Sequence, residues 1–310
     1  MGHGHHHHHH DDGHDHGRGH GHHHPAPPTG DWRYAVGLIV NLAFVACEFT
    51  AGVLADSTAL IADAGHNLSD VLGLAMAGGA AWLATLAAGR RRTYGFGKAT
   101  VLAALGNALL LIFACGAIAF EAVRRLAEPA PVQSGLIMAV AAIGFVINLG
   151  TALMFMRGRH EDLNVRGAYL HMMADAAVSI GVVVAGAAIW LTGWSLIDPL
   201  VSLVIVAVIL WGTWGLLKDS TDLAMDAAPA GVDLDALSSG LAALPGVTAV
   251  HDLHVWGLST TRTALTAHLV HDRQDANALL LEAQALADRH GVAHATFQLE
   301  AGAALDCPTC

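Results

Sequence analysis

The sequence predicts an α-helical membrane protein, with six transmembrane helices followed by a C-terminal α+β domain of order α-β-β-α-β. Of its 310 residues, 54% are hydrophobic and 13% are Asp, Glu, Lys or Arg, about half the roughly 25% charge of a soluble domain. Mean hydropathy is +0.48, and a soluble chain of this composition would expose large apolar patches and aggregate. Finally, apolar runs of span length continue to about residue 218 and then give way to short alternating and amphipathic patterns. The expected domains are therefore 1–30, 31–218 and 219–310.

Residues 1–30 are His, Gly and Asp followed by Pro25, Ala26, Pro27 and Pro28. Such a segment cannot bury a core and is expected to be a disordered tail. Its run His5–His10 is either an expression tag or part of a metal-attracting tail, and the irregular His/Asp/Gly surroundings favour the tail. No cleavable signal peptide is expected before the first apolar run.

Six stretches follow, near Trp32–Leu54, Leu60–Ala87, Thr100–Arg124, Ser134–Met156, Gly167–Leu191 and Pro199–Leu217. Each meets the roughly 20 residues that a span requires. With both termini in the cytoplasm, Arg33, Arg90, Arg91, Arg92, Lys98, Arg157, Arg159, Arg166 and Lys218 lie inside, and only Arg124 and Arg125 outside. That asymmetry fits the positive-inside rule. The Ala/Gly-rich composition suggests a bacterial inner membrane.

Beyond Asp219, Val232–Ala243 reads as a short helix ended by Leu244-Pro245-Gly246. Val247–Leu258 and Thr263–His271 read as strands, Ala276–His290 as an amphipathic helix closed by Gly291, and Ala293–Glu300 as a last strand. This region carries 12 acidic residues against Arg262, Arg273 and Arg289. The net charge of −11, with Lys98 and Lys218 the only lysines, leaves no electrostatic footprint for nucleic acid. The four cysteines form no secreted disulfide framework; Cys47 and Cys115 read as small core residues.

Ionisable groups inside spans are costly, which makes each a functional candidate. His66 and Asp70 in the second span, and His171 and Asp175 in the fifth, both form H-x-x-x-D. At i and i+4 the members of each pair share one helix face. Two imidazoles and two carboxylates make a tetrahedral N2O2 set suited to Zn2+, its two negative charges cancelling those of the ion. Proton and metal compete for such ligands, so the expected activity is metal/proton antiport by alternating access. Asp63, one turn before His66, is either a partner of a ligand histidine or a proton carrier. Asn41, Glu48 and Asn148 either line the same cavity or join helices by hydrogen bonds. Gly73, Gly78, Gly79, Gly181 and Gly186 either let the two ligand-bearing helices pack closely or are lipid-facing slack.

The run Ala62-Asp63-Ala64-Gly65-His66-Asn67-Leu68-Ser69-Asp70, the second H-x-x-x-D and Tyr94-Gly95-Phe96-Gly97 together resemble the cation diffusion facilitator family over about residues 31–310. The resemblance implies a homodimer that exports divalent metal from the cytoplasm. It also implies six spans per protomer, a metallochaperone-like cytoplasmic domain, and His66, Asp70, His171 and Asp175 as the transport site. Manganese exporters of the family resemble one another in lacking a histidine there, and cadmium-moving carriers often have Asp at the position of His66. Two histidines resemble the zinc branch, with Co2+ or Cd2+ as further candidate metals. In zinc members, positions matching His251, His268 and Glu300, joined by a terminal C-x-x-C (here Cys307 and Cys310), resemble a regulatory zinc site. His254, His271 and His290 read as surface residues. Zinc bound there would draw two acidic domains of a dimer together.

An intramembrane zinc protease would need H-E-x-x-H, which the sequence lacks, and four protein ligands leave no open position for a substrate. No enzymatic activity is expected. The remaining rivals are a membrane zinc sensor without transport and a passive channel.

Overall fold

The computed structural model describes residues 32–156 and 163–302. Six long helices come first: α1 (Trp32–Ala55), α2 (Thr58–Ala84), α3 (Lys98–Ala127), α4 (Ser134–Phe155), α5 (Leu163–Thr192) and α6 (Ile197–Ala224). All six coincide with the apolar stretches. Among the described residues, segments of α3, α4, α5 and α6 are long and apolar enough to cross a membrane, and α1 adds the shorter apolar stretch Ile39–Ala55. The hydropathy of α2 is lowered by Asp63, His66, Asn67, Ser69 and Asp70. Bulky apolar side chains such as Phe113 and Trp211 point outward, as suits a hydrocarbon surround. Between the helices lie mostly small or branched residues, including Ala51, Ala55, Leu60, Ala62, Leu111, Ile137 and Val182.

One end of the bundle is cross-tied. Ser57 caps α2, its Oγ accepting from Leu60 N at 3.1 Å. Asp198, at the start of α6, accepts from Ser57 Oγ, from Thr58 N at 2.7 Å and from Thr58 Oγ1 at 2.8 Å. A buried carboxylate is well placed at a helix N-terminus, where unpaired N–H groups and the dipole favour negative charge. Arg125, in the last turn of α3, bridges Glu121 and Asp56. Gln133 donates to Ala55 O and Leu54 O.

One alternative is decided here and one expectation fails. The glycines do not join α2 to α5: Gly78, Gly79 and Gly181 face open space, as the slack alternative has it, while a Cβ on Gly73 would strike Asn107 of α3 and one on Gly186 would strike Met138 of α4. The small residues of α5 serve instead its packing on α4. Cys47 is exposed on the α1 surface, whereas Cys115 is buried as expected. An apolar surround makes an outward position inexpensive for a small thiol.

The C-terminal domain comprises α7 (Leu234–Ala242), β1 (Val247–Gly257), β2 (Thr263–His271), α8 (Ala276–Arg289) and β3 (His294–Ala301). Asp233 and Asp275 cap the two helices, accepting from Ala236 N and Ala278 N. The sheet order is β1-β2-β3, with β1/β2 antiparallel and β2/β3 parallel. The parallel return requires a crossover, which α8 supplies. Leu237, Leu241, Leu265, Leu269, Ala283 and Leu286 form the core between helices and sheet. His271 is buried rather than on the surface, because it ends the central strand.

The Tyr94–Lys98 segment joins the two parts. A Cβ on Gly97 would lie 2.6 Å from Leu258 O, so the loop backbone sits directly on the β1–β2 turn. Thr260 N donates to Thr100 Oγ1 at 3.1 Å, and Lys98 reaches Leu223 O and Asp226. The Tyr94 ring meets His294 edge-on at 5.5 Å.

Candidate metal centre

The i, i+4 spacing on α2 places His66 and Asp70 on one face, and the same spacing on α5 does so for His171 and Asp175. The bundle brings these faces together. His66 Nε2 lies 3.7 Å from Asp70 Oδ2 and 3.5 Å from Asp175 Oδ1. His171 Nε2 lies 3.2 Å from Asp70 Oδ2 and 3.5 Å from Asp175 Oδ2. Nitrogen and carboxylate donors thus alternate around a ring, with the imidazoles 6.1 Å apart and inclined at 74°. A tetrahedral ion with bonds of about 2.0–2.1 Å separates its ligand atoms by about 3.3 Å. These four spacings bracket that value, with Asp175 offering a different oxygen to each histidine. His66, Asp70 and Asp175 have donor atoms close enough to share one ion, and His171 would have to close on that group to complete a four-ligand set. Asp175 is nearly enclosed, while the other three side chains are about one-fifth exposed, leaving the cluster reachable from water.

Polar residues extend the cluster. Asn67 donates to Glu48 Oε2 at 3.2 Å, and Ser179 donates to Asp63 Oδ2 at 3.5 Å. Glu48, Asp63 and Ser179 are fully buried; Asp63 accepts from Ser179, and neither its other oxygen nor His66 Nδ1 has a hydrogen-bond partner among the described residues. Asn41 of α1 approaches Met172 Sδ at 3.9 Å. Asn148 is buried, with no hydrogen-bond partner for Nδ2 among the described residues.

The second cluster is built by strand register. The β1/β2 pairing sets His251 directly opposite His268, and β3 brings Glu300 to the same face. Glu300 oxygens lie 3.2 Å from His251 Nε2 and 3.0 Å from His268 Nδ1. The Glu300 side chain is 1% exposed, and Gln298 donates to it at 3.0 Å. A carboxylate so deeply buried beside two imidazoles is one whose desolvation must be compensated. His251, His268 and Glu300 have donor atoms close enough to share one ion. Cys307 and Cys310 lie outside the described residues, as do the tail 1–30 and the basic residues Arg157 and Arg159.

The sequence reading assigned no role to Asp252. It stands within this cluster, 3.4 Å from His268 Nε2 and 2.7 Å from His254 Nε2. The signal available was three polar residues within His251–His254, which no regular alternating strand can turn to one face. The structure answers with an irregularity between His251 and His254 and a φ of 51° at Asp252.

Residues 34–223 match the cation efflux transmembrane domain, and residues 229–301 match the cytoplasmic domain of cation efflux proteins. This chain belongs to the cation diffusion facilitator family. The cation efflux system protein CzcD of Alcaligenes sp. (strain CT14) is 37% identical over 277 residues, 88% of each chain. The zinc transporter ZitB of Escherichia coli (strain K12) is 36% identical over 271 residues, 86% of each. The cadmium, cobalt and zinc/H(+)-K(+) antiporter of Bacillus subtilis (strain 168) is 32% identical over 271 residues, covering 86% of this chain and 87% of that one. The chain is therefore a multi-pass membrane transporter of the cation efflux class and not an enzyme. Cation efflux is its class of activity, and its dimerisation domain supports a homodimer.

Proposed function

We propose that this family member is a zinc/proton antiporter that exports Zn2+ from the cytoplasm, with His66, Asp70, His171 and Asp175 as the transport site. The ring of alternating nitrogen and carboxylate donors, spaced at 3.2–3.7 Å, carries the proposal. Nitrogen and oxygen ligands suit zinc and allow its release, which thiolates would hinder. Co2+ and Cd2+ are secondary substrates on the same ligand chemistry, and the name of the B. subtilis relative supports them. The domains divide at residues 218/219, both termini face the cytoplasm, and the membrane is the bacterial inner membrane. The basic loops and the bacterial relatives support that orientation and placement.

Coupling follows from the ligands. An imidazole has an ordinary pKa near 6.5 and must be deprotonated to bind zinc. Proton and metal therefore compete for the same lone pairs. When the site faces outward, protons displace zinc; when it faces inward, zinc displaces protons. The ligands are divided between α2 and α5, so a relative movement of these helices opens or closes the set. We place a second, regulatory zinc in the cytoplasmic domain on His251, His268 and Glu300, with Cys307 and Cys310 as further candidate ligands.

The test is zinc uptake into proteoliposomes under an imposed pH gradient, with the unsubstituted protein and Asp175→Ala. Gradient-dependent uptake that vanishes in the variant is expected. Zinc binding without gradient-driven flux would favour a membrane zinc sensor, a reading the cytoplasmic cluster supports. Flux that survives the substitution would place the ion elsewhere.

A further inference from the structure

The cytoplasmic cluster contains a residue whose position three independent features constrain. We infer that Asp252 is a positioning residue that fixes the tautomer of His268, so that His268 presents Nδ1 to the regulatory metal. This rests on the cytoplasmic site proposed above and specifies how its ligands are oriented.

The two nitrogens of His268 face different partners. Nδ1 is buried and lies 3.0 Å from Glu300 Oε1, without hydrogen-bond geometry to any described residue. It looks toward the side of the ring where Glu300 and His251 Nε2 converge. On the opposite side, Nε2 lies 3.4 Å from Asp252 Oδ2. A carboxylate only accepts hydrogen bonds, and the nearer one, Glu300, faces Nδ1. A cation seated between Nδ1 and Glu300 takes that lone pair and leaves the proton to Nε2, where Asp252 at 3.4 Å is the acceptor that favours it. Withdrawal of electrons by a metal on Nδ1 makes the Nε2 proton more acidic and strengthens its bond to the carboxylate. This is the arrangement by which outer carboxylates orient ligand histidines.

Asp252 reaches this position through its backbone. Its φ of 51° lies in the left-handed region, where Asp and Asn are among the few tolerated side chains. The register slips between His251 and His254. A regular strand would send residues 251 and 252 to opposite faces, whereas here both side chains contact His268. Asp252 Oδ1 in turn accepts from the exposed His254 Nε2 at 2.7 Å. That second bond holds the carboxylate from its solvent side.

The test compares Asp252→Gly and Asp252→Asn in the full-length protein, since both residues accept the backbone conformation. Zinc affinity of the cytoplasmic site is measured by chelator competition. Coordination is read by solid-state NMR of protein labelled with 15N-histidine and loaded with 113Cd, signals being assigned with His251→Ala and His268→Ala. In the unsubstituted protein we expect 113Cd coupling to His268 Nδ1 and a proton on Nε2. Asp252→Gly should lower affinity by about 10–100-fold and distribute the His268 proton between both nitrogens, with the metal-free thermal midpoint unchanged. Asp252→Asn, which keeps an acceptor oxygen, should recover part of the affinity. Coupling to His268 Nε2, or unchanged affinity in Asp252→Gly, overturns the assignment while leaving the site intact. Absence of 113Cd coupling to both His251 and His268 would remove the site itself.

Discussion

The two clusters have nearly the same ligand chemistry and opposite construction. The membrane cluster takes two i, i+4 pairs from two helices, and its donors face one another directly. Among the described residues, the buried His66 Nδ1 has no hydrogen-bond partner, so no hydrogen bond fixes that ring from behind. In the cytoplasmic cluster, Asp252 stands behind His268, and Gln298 holds Glu300. A ligand braced from outside keeps its geometry and its metal; an unbraced one exchanges more readily. The difference matches the work we propose for each, since a carrier must release its ion and a sensor must retain it.

The largest expected effect would break the comparison if it failed. Asp175→Ala should reduce gradient-driven zinc flux by at least about 100-fold, beyond the 10–100-fold typical of losing an outer-shell partner. Zinc binding by the cytoplasmic cluster should be unchanged, as measured by chelator competition on the same preparation. Loss of both would mean that the two clusters are not independent. His66→Asp sharpens the question of selectivity. A shorter side chain with two donor oxygens enlarges the ring and should lower the zinc-to-cadmium flux ratio on the order of tenfold. An unchanged ratio in competition assays would take selectivity away from this position.

Legibility in sequence follows the same division. Helical pairs at i, i+4 are a local pattern, so His66, Asp70, His171 and Asp175 could be grouped before any helix was placed. The apolar runs are equally local, and the observed helix bounds lie within a few residues of those expected except at the ends of α5 and α6, which continue past the apolar run into polar residues. The cytoplasmic cluster depends on register between strands and on the parallel return of β3. Spacing could suggest His251 and His268, and the grouping with Glu300 came from family resemblance. Asp252 was only faintly legible: three polar residues within His251–His254 hint at an irregular strand, but its role arises from one left-handed residue and a register slip. The glycines stayed ambiguous for a related reason: small residues permit close packing but neither require it nor name the neighbour.

The cytoplasmic cluster should affect flux less than the membrane one. Glu300→Gln keeps the side-chain shape but removes the charge that pairs with both imidazoles and a divalent ion. Zinc affinity of that cluster should fall by about 10–100-fold, whereas flux at saturating zinc should fall less than about threefold. A fall comparable with that of Asp175→Ala would make the cytoplasmic metal part of the transport path. Gly97→Ala tests the connection between the clusters. Its Cβ would meet Leu258 O at 2.6 Å, and such overpacking costs about 1–3 kcal/mol. The thermal midpoint should drop, and the zinc concentration for half-maximal flux should shift without any ligand being touched. If neither moves, the loop and the β1–β2 turn are not a working contact.

The smallest effect separates bracing from folding. Asp233 caps α7 through Ala236 N at 2.9 Å and lies on a different element from any candidate ligand. Asp233→Ala should cost about 1 kcal/mol through an unsatisfied helix N-terminus, lowering the domain's thermal midpoint and leaving cytoplasmic zinc affinity within error. Asp252→Gly should do the reverse, since glycine relieves the left-handed backbone while removing the carboxylate that orients His268. If Asp233→Ala weakens metal binding as much as Asp252→Gly, general loosening of the domain is sufficient and the braced histidine explains nothing. Opposite responses in the two variants would show that affinity depends on the orientation of one ring and not on the stability of the fold that carries it.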